Sequence, residues 1–319
     1  MLPKETQIPC GNQLNRVTHH IGHNVGRRKG KNPQGASMEQ RPGSKEPGTS
    51  TRSGENEERV TLVSADLRRR SIAPRLQDKR ALVTGGSRGI GAAIVRRLAS
   101  EGAHVGLTYA SKKELARETA AEARAYGGEA FAIQADNADH DAVAAAVRKT
   151  TEELGGIDIL VHSAGVGYFG PIQDITLEQL DEALAVNLRG TYLATQAAIP
   201  HMGRGGRIIM IGSGSSERSP FPGNTLYAMT KSGLSGLVRA LSRDLAPQGI
   251  TVNNVQPGPI DTDMNPANTD FADMVCEQVI ALRRYGTPDE VAAMVAYVAS
   301  SEAAYLTGAT LTIDGGFAA

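Results

Sequence analysis

From Arg80 to Asp314, short β-branched or aliphatic runs alternate with longer alanine-rich stretches. The runs Ala81–Thr84, His104–Tyr109, Ala130–Gln134, Ile157–His162, Arg207–Ile211, Thr251–Val255 and Thr310–Asp314 are predicted strands. Between them the pattern predicts helices over Ile90–Ser100, Lys112–Tyr126, Asp141–Leu154, Leu177–Ile199, Leu226–Leu245 and Pro288–Ser300. Helix-start signals agree with this pattern: Thr176 with Gln179 forms a capping box, and Thr287-Pro288-Asp289-Glu290 sets proline at the first helical position. Such alternation calls for parallel strands joined by right-handed helical crossovers. The expected fold class is therefore α/β, a single Rossmann-type doubly wound sheet of about seven strands with helices on both faces.

Residues 1–77 break the pattern, being rich in Gly, Asn, Gln, Ser, Arg and Pro with few aliphatics. They offer too little apolar surface to offset their ordering entropy, so a disordered basic tail is expected there, with the folded domain over 78–319. The formal net charge of +0 conceals the split: the tail carries about +7 and the remainder about −7. The clusters Arg27-Arg28-Lys29 and Arg68-Arg69-Arg70 lack the aromatic interleaving or amphipathic pattern of a nucleic-acid or membrane contact, and neither partner is expected. No run is long enough for a membrane span, and the first residues lack the apolar core of a secretory signal. With only Cys10 and Cys276, there is neither a disulfide framework nor a metal-ligand spacing, which fits a cytoplasmic location.

The first strand runs into Gly85-Gly86-Ser87-Arg88-Gly89-Ile90-Gly91 and then into a helix. Glycine there allows a tight turn and close approach of the backbone to a pyrophosphate, while the helix N-terminus offers free N–H groups. The spacing, Thr84-Gly85-x-x-x-Gly89-x-Gly91, resembles the fingerprint of the classical short-chain dehydrogenase/reductase family, and the resemblance extends from Arg80 to Ala319. The second strand ends Leu107-Thr108-Tyr109-Ala110-Ser111-Lys112, without the carboxylate that selects NAD, and Arg88 supplies a cation in the glycine loop. NADP(H) is the expected cofactor.

Tyr227 and Lys231 stand at i, i+4 after the fifth strand, so both side chains share one helix face. A free phenol titrates near 10, and a neighbouring ammonium is expected to lower that value toward the working pH. The family resemblance makes Tyr227 the proton donor and lets Lys231 also hold the nicotinamide ribose. It assigns Asn187 to a water linking the lysine to solvent, and a serine at the end of the fifth strand to the substrate oxygen. The family spacing falls on Gly214; one extra residue in the Ser219–Gly223 turn brings Ser213 into register, with Ser215 as the alternative. Further cofactor contacts implied by the resemblance are Asp136 with Asn137 after the third strand, and Ser163, Ala164 and Gly165 after the fourth. Pro257, Gly258, Ile260 and Thr262 follow the sixth. His162-Ser163 replaces two asparagines of the family pattern, which shifts contacts there toward backbone and Ala164.

The segment Asp263–Tyr285 is the natural lid, with Met264 and Met274 as candidates for the substrate pocket or for core filling. Around Asn265-Pro266-Ala267-Asn268 it is similar to 3-oxoacyl-[acyl-carrier-protein] reductases, and Gln256–Phe317 resembles biofilm-dispersal members reported to bind cyclic di-GMP. The expected activity is reduction of a ketone or 3-oxoacyl carbonyl; the alternative is a cyclic di-GMP-binding regulator with little turnover. Surplus leucines on Leu177–Ile199 and Leu226–Leu245, the helices that pair symmetry mates in the family, point to a homotetramer, with a dimer as fallback.

Overall fold

The structure, a computed structural model, describes residues 74–319. The tail expectation for residues 1–73 therefore lies outside the described residues. The expected boundary at 77/78 falls inside packed structure. Leu76 is buried in the main core, its N–H donates to the Glu101 carbonyl, and Arg75 pairs with Glu101.

Seven parallel strands form one sheet in the order β3-β2-β1-β4-β5-β6-β7: β1 Arg80–Thr84, β2 His104–Tyr109, β3 Ala130–Gln134, β4 Ile159–His162, β5 Arg207–Ile211, β6 Thr251–Pro257 and β7 Thr310–Ile313. Helices α1 Gly89–Ser100 and α2 Lys113–Arg124 cover one face, with α3 His140–Leu154 on the other. There, Leu177–Ile199 is not one helix. It runs as α4 Leu177–Leu184, a π turn over Ala185–Arg189, and α5 Gly190–Ala198. Helix α6 Thr225–Leu245 completes that face, while α7 Asp270–Gln278 and α8 Pro288–Ala299 separate β6 from β7. Alternate strand residues feed two cores: Val83, Val105 and Ile209 pack under α1, and Leu82, Leu160 and Ile208 under α6.

The hand of the last crossover differs from expectation. The steps from β4 to β6 move one way across the sheet with their helices on the α6 face. The step from β6 to β7 continues in that direction, but Val291, Val295 and Val298 of α8 join the core of the α1 face beside Ile94 and Leu98. That crossover is therefore left-handed, against the usual rule. Extensive packing of α8 on α1 accompanies the exception. Helix α7 was also not predicted from sequence; Thr269 caps it by accepting from the Ala272 N–H, and its Ala272 and Val275 build a small core with Ile280, Tyr285 and Phe317. Among the described residues no helix is long and apolar enough to cross a membrane.

Candidate active site

The carboxyl edge of the sheet opens into a cleft of about 450 Å³. At its floor the Gly85 N–H donates to Thr108 Oγ1 at 3.1 Å and the Gly86 N–H to the Thr108 carbonyl at 2.9 Å, tying the glycine loop to the end of β2. Gly85 has φ +68°, and a Cβ there would lie 2.6 Å from the Ala164 Cα; a Cβ on Gly91 would lie 2.1 Å from the Gly85 carbonyl oxygen. Only glycine lets β1, α1 and the turn after β4 converge this closely. Arg88 stands at the N-cap of α1 with no side-chain cap bond, so the first N–H groups of the helix remain free to face an anion.

Residues from the other strand ends line the same cleft: Ser87, Gly89 and Ile90 of the loop, Asp136 and Asn137 after β3, Ser163, Ala164 and Gly165 after β4, and Pro257, Gly258, Ile260 and Thr262 after β6. Asp136 Oδ1 accepts from the Ala138 N–H at 2.9 Å, and Asn137 Nδ2 donates to the Val186 carbonyl at 2.6 Å. His162 turns away from the cleft. Its Nε2–H donates to Thr195 Oγ1 at 2.9 Å, since that hydroxyl spends its own proton on the Thr191 carbonyl. Burial pulls its pKa down to about 3, so the ring is neutral. Arg88 does not stand free: its Nη1 meets Asp263 Oδ2 at 3.3 Å in an exposed pair across the cleft mouth. Sequence reasoning passed over Ser111 and Lys112, which line the cleft where an NAD-selecting carboxylate would stand. Their signal was their place directly after β2.

Ser213, Tyr227 and Lys231 meet at the other end of the cleft. Ser213 stands two residues beyond β5 and its Oγ accepts from the Ser215 N–H at 3.1 Å, which holds the hydroxyl at the cleft wall; Ser215 itself does not line it. Buried Lys231 donates from Nζ to the Ile211 carbonyl at 2.9 Å, with Nζ 5.8 Å from the centroid of the Tyr227 ring. Burial lowers the lysine pKa to about 8. Contrary to expectation, the Tyr227 phenol is pushed up: burial outweighs a hydrogen bond from Ser213 that acts the other way. The lysine's hydrogen bond goes to the Ile211 carbonyl, while the enclosing protein withholds water from a phenolate.

Asn187 is buried behind this group rather than in the cleft lining, and the π turn accounts for its orientation. Its Oδ1 accepts from the Val166 N–H, and its Nδ2 donates to the Val166 carbonyl and to Thr230 Oγ1, at 2.9, 2.9 and 3.0 Å. Thr230, fully buried, in turn donates to the Tyr227 carbonyl at 2.9 Å. A Cβ on Gly165 would come within 3.4 Å of both Lys231 Nζ and Asn187 Oδ1, so the three residues share one corner. Thr230 was missed because one hydroxyl between Tyr227 and Lys231 carries no periodic signal.

The model of the enoyl-(acyl carrier protein) reductase family matches residues 85–318. A cyclic-di-GMP-binding biofilm dispersal mediator protein of Escherichia coli is 47% identical over 241 residues, covering 76% of this chain and 98% of that protein. A 3-oxoacyl-[acyl-carrier-protein] reductase of Staphylococcus aureus is 39% identical over 240 residues, covering 75% of this chain and 97% of that protein. Among solved structures, a short-chain dehydrogenase of Burkholderia cenocepacia in complex with NADP is 51% identical with a TM-score of 0.76, covering 77% of this chain and 100% of that one.

Proposed function

The chain belongs to the short-chain dehydrogenase/reductase family, and from that premise we propose that it is an NADP(H)-dependent enzyme reducing a ketone or 3-oxoacyl carbonyl to the alcohol. The observation that carries this reading is the pairing of the Ser213 and Tyr227 hydroxyls in one cleft with the buried Lys231 ammonium behind them.

The glycine cradle and the uncapped start of α1 fit a pyrophosphate, since the close packing that Gly85 and Gly91 permit leaves the free N–H groups at the start of α1 facing the cleft. Arg88, Ser111 and Lys112 would hold the 2′-phosphate, Asp136 and Asn137 would bound the adenosine, and Ile260 and Thr262 would face the nicotinamide amide. When bound, NADPH would supply the hydride that the carbonyl carbon accepts. The Ser213 and Tyr227 hydroxyls receive the carbonyl oxygen and stabilise the negative charge that grows on it. Tyr227 gives that oxygen its proton, completing the alcohol. A phenol whose pKa is raised stays protonated at neutral pH, as a donor must. Lys231, with a pKa of about 8, is mostly charged at neutral pH and stabilises the phenolate left behind.

The test is loss of NADPH absorbance against ketones and short 3-oxoacyl thioesters, with NADH as comparison. The second reading is a cyclic di-GMP-binding regulator, favoured by the name of the 47% identical relative. Calorimetric binding of cyclic di-GMP by a protein that turns over none of these carbonyls would support it.

A further inference from the structure

Beside the Tyr227 ring lies a second ring that the catalytic chemistry does not use. Phe169, on the segment after β4, sits with its ring centroid 5.3 Å from that of Tyr227 at a tilt of 45°, yet remains 60% exposed. A Cβ on Gly167 would meet the Phe169 ring at 3.0 Å and Tyr227 Cδ2 at 3.3 Å, so the backbone presses closely against both rings. The Phe169 segment is tied to the turn before α6, because the Gly170 N–H donates to the Gly223 carbonyl at 2.8 Å. That turn carries Phe221, which packs edge-on against Phe271 of the lid helix α7 at 5.3 Å and 63°. Phe271 is 53% exposed, as is Met264 at 49%, and Met264 lines the cleft. The Phe169 ring thus forms an exposed apolar rim beside Tyr227, and the Met264 thioether lines the same cleft as Tyr227. An exposed ring packed on the reacting tyrosine calls for an apolar occupant.

We propose that the substrate is an aryl ketone whose ring packs against Phe169 while its carbonyl oxygen lies between Ser213 and Tyr227. This rests on the reductase reading and narrows it to a substrate class. The reaction balances as already given: one hydride from NADPH to the carbonyl carbon, one proton from Tyr227 to the oxygen. Aromatic rings prefer tilted or edge contacts and gain from them beyond area burial, by up to about tenfold per pair. Thioether–aromatic contact adds in the same direction. An alkyl chain of equal carbon number gains only from burial, so the rim discriminates between the two.

The experiment compares acetophenone, 2-octanone and a short 3-oxoacyl thioester with the full chain and NADPH. The kcat/KM for acetophenone is expected to exceed that for 2-octanone and for the thioester by about tenfold or more. In Phe169→Ala the aryl-to-alkyl ratio should fall to near one, and in Phe169→Tyr it should return, with NADPH titration and melting temperature confirming that both variants fold. Equal rates on the ketones, a preference for the thioester, or an unchanged ratio in Phe169→Ala would overturn the aryl assignment and leave the reductase reading standing. No turnover of any carbonyl by protein that binds NADPH would overturn both.

Discussion

Replacing Lys231 by methionine should make the cofactor-free protein more stable while abolishing its activity. The ammonium is buried, and its pKa falls from 10.5 to about 8. At 1.36 kcal/mol per unit, folding with the charge enclosed costs about 3 kcal/mol at pH 7. Methionine keeps the length of the stem but loses the hydrogen bond to the Ile211 carbonyl, worth about 1 kcal/mol. The net gain is roughly 2 kcal/mol, or about 4 to 8 °C in melting temperature for a domain of this size. The sign with pH follows from linkage. Below pH 8 both folded and unfolded states hold the proton and the penalty is complete. Between pH 8 and 10.5 the folded state releases it first, so the wild type gains relative stability as pH rises. The advantage of Lys231→Met should therefore vanish by about pH 10. Calorimetric melts of both proteins without cofactor at pH 7 and pH 10 provide the assay. A variant that melts below the wild type at pH 7, or a difference independent of pH, would refute the argument that the lysine is held at a cost in stability.

Tyr227→Phe should lower kcat at least about a hundredfold while NADPH affinity stays within about threefold, by single-turnover kinetics and fluorescence titration; activity within tenfold would exclude Tyr227 as the acid. Arg88→Ala should weaken NADPH at least about tenfold and NADH little, and Asp263→Ala, which frees the guanidinium, should tighten NADPH up to about fivefold; equal losses for both cofactors would reject the 2′-phosphate assignment. Thr230→Val should cut kcat about tenfold with KM nearly unchanged and Thr230→Ser should restore it, because the hydroxyl positions Asn187 and the Tyr227 turn; a parallel loss in Thr230→Ser would point to packing instead. Light scattering at micromolar concentration should report about four chain masses, since Leu180, Leu184 and Leu188 stay half-buried in the single chain and β7 ends the sheet among the described residues; a clean monomer would exclude assembly through these helices.

Much of the fold was legible along the chain because its information is local. Apolar runs marked all seven strands to within two residues at each end, and the capping boxes at Thr176 and Thr287 stand where their spacing put them. The glycine spacing and the i, i+4 placement of Tyr227 and Lys231 are local backbone geometry too, so they survive translation into three dimensions. Other features depend on contacts between residues far apart in sequence, and only the tertiary structure decided them. These include the left-handed step to β7, the separation of Ser213 from Ser215 by which hydroxyl reaches the cleft, and the pairing of Arg88 with Asp263. The Thr230–Asn187 bond and the π turn that aims Asn187 belong with them. The direction of the Tyr227 pKa is the clearest case: a lysine four residues away predicts a lowered value, but desolvation depends on everything packed around the ring, and that packing raised it.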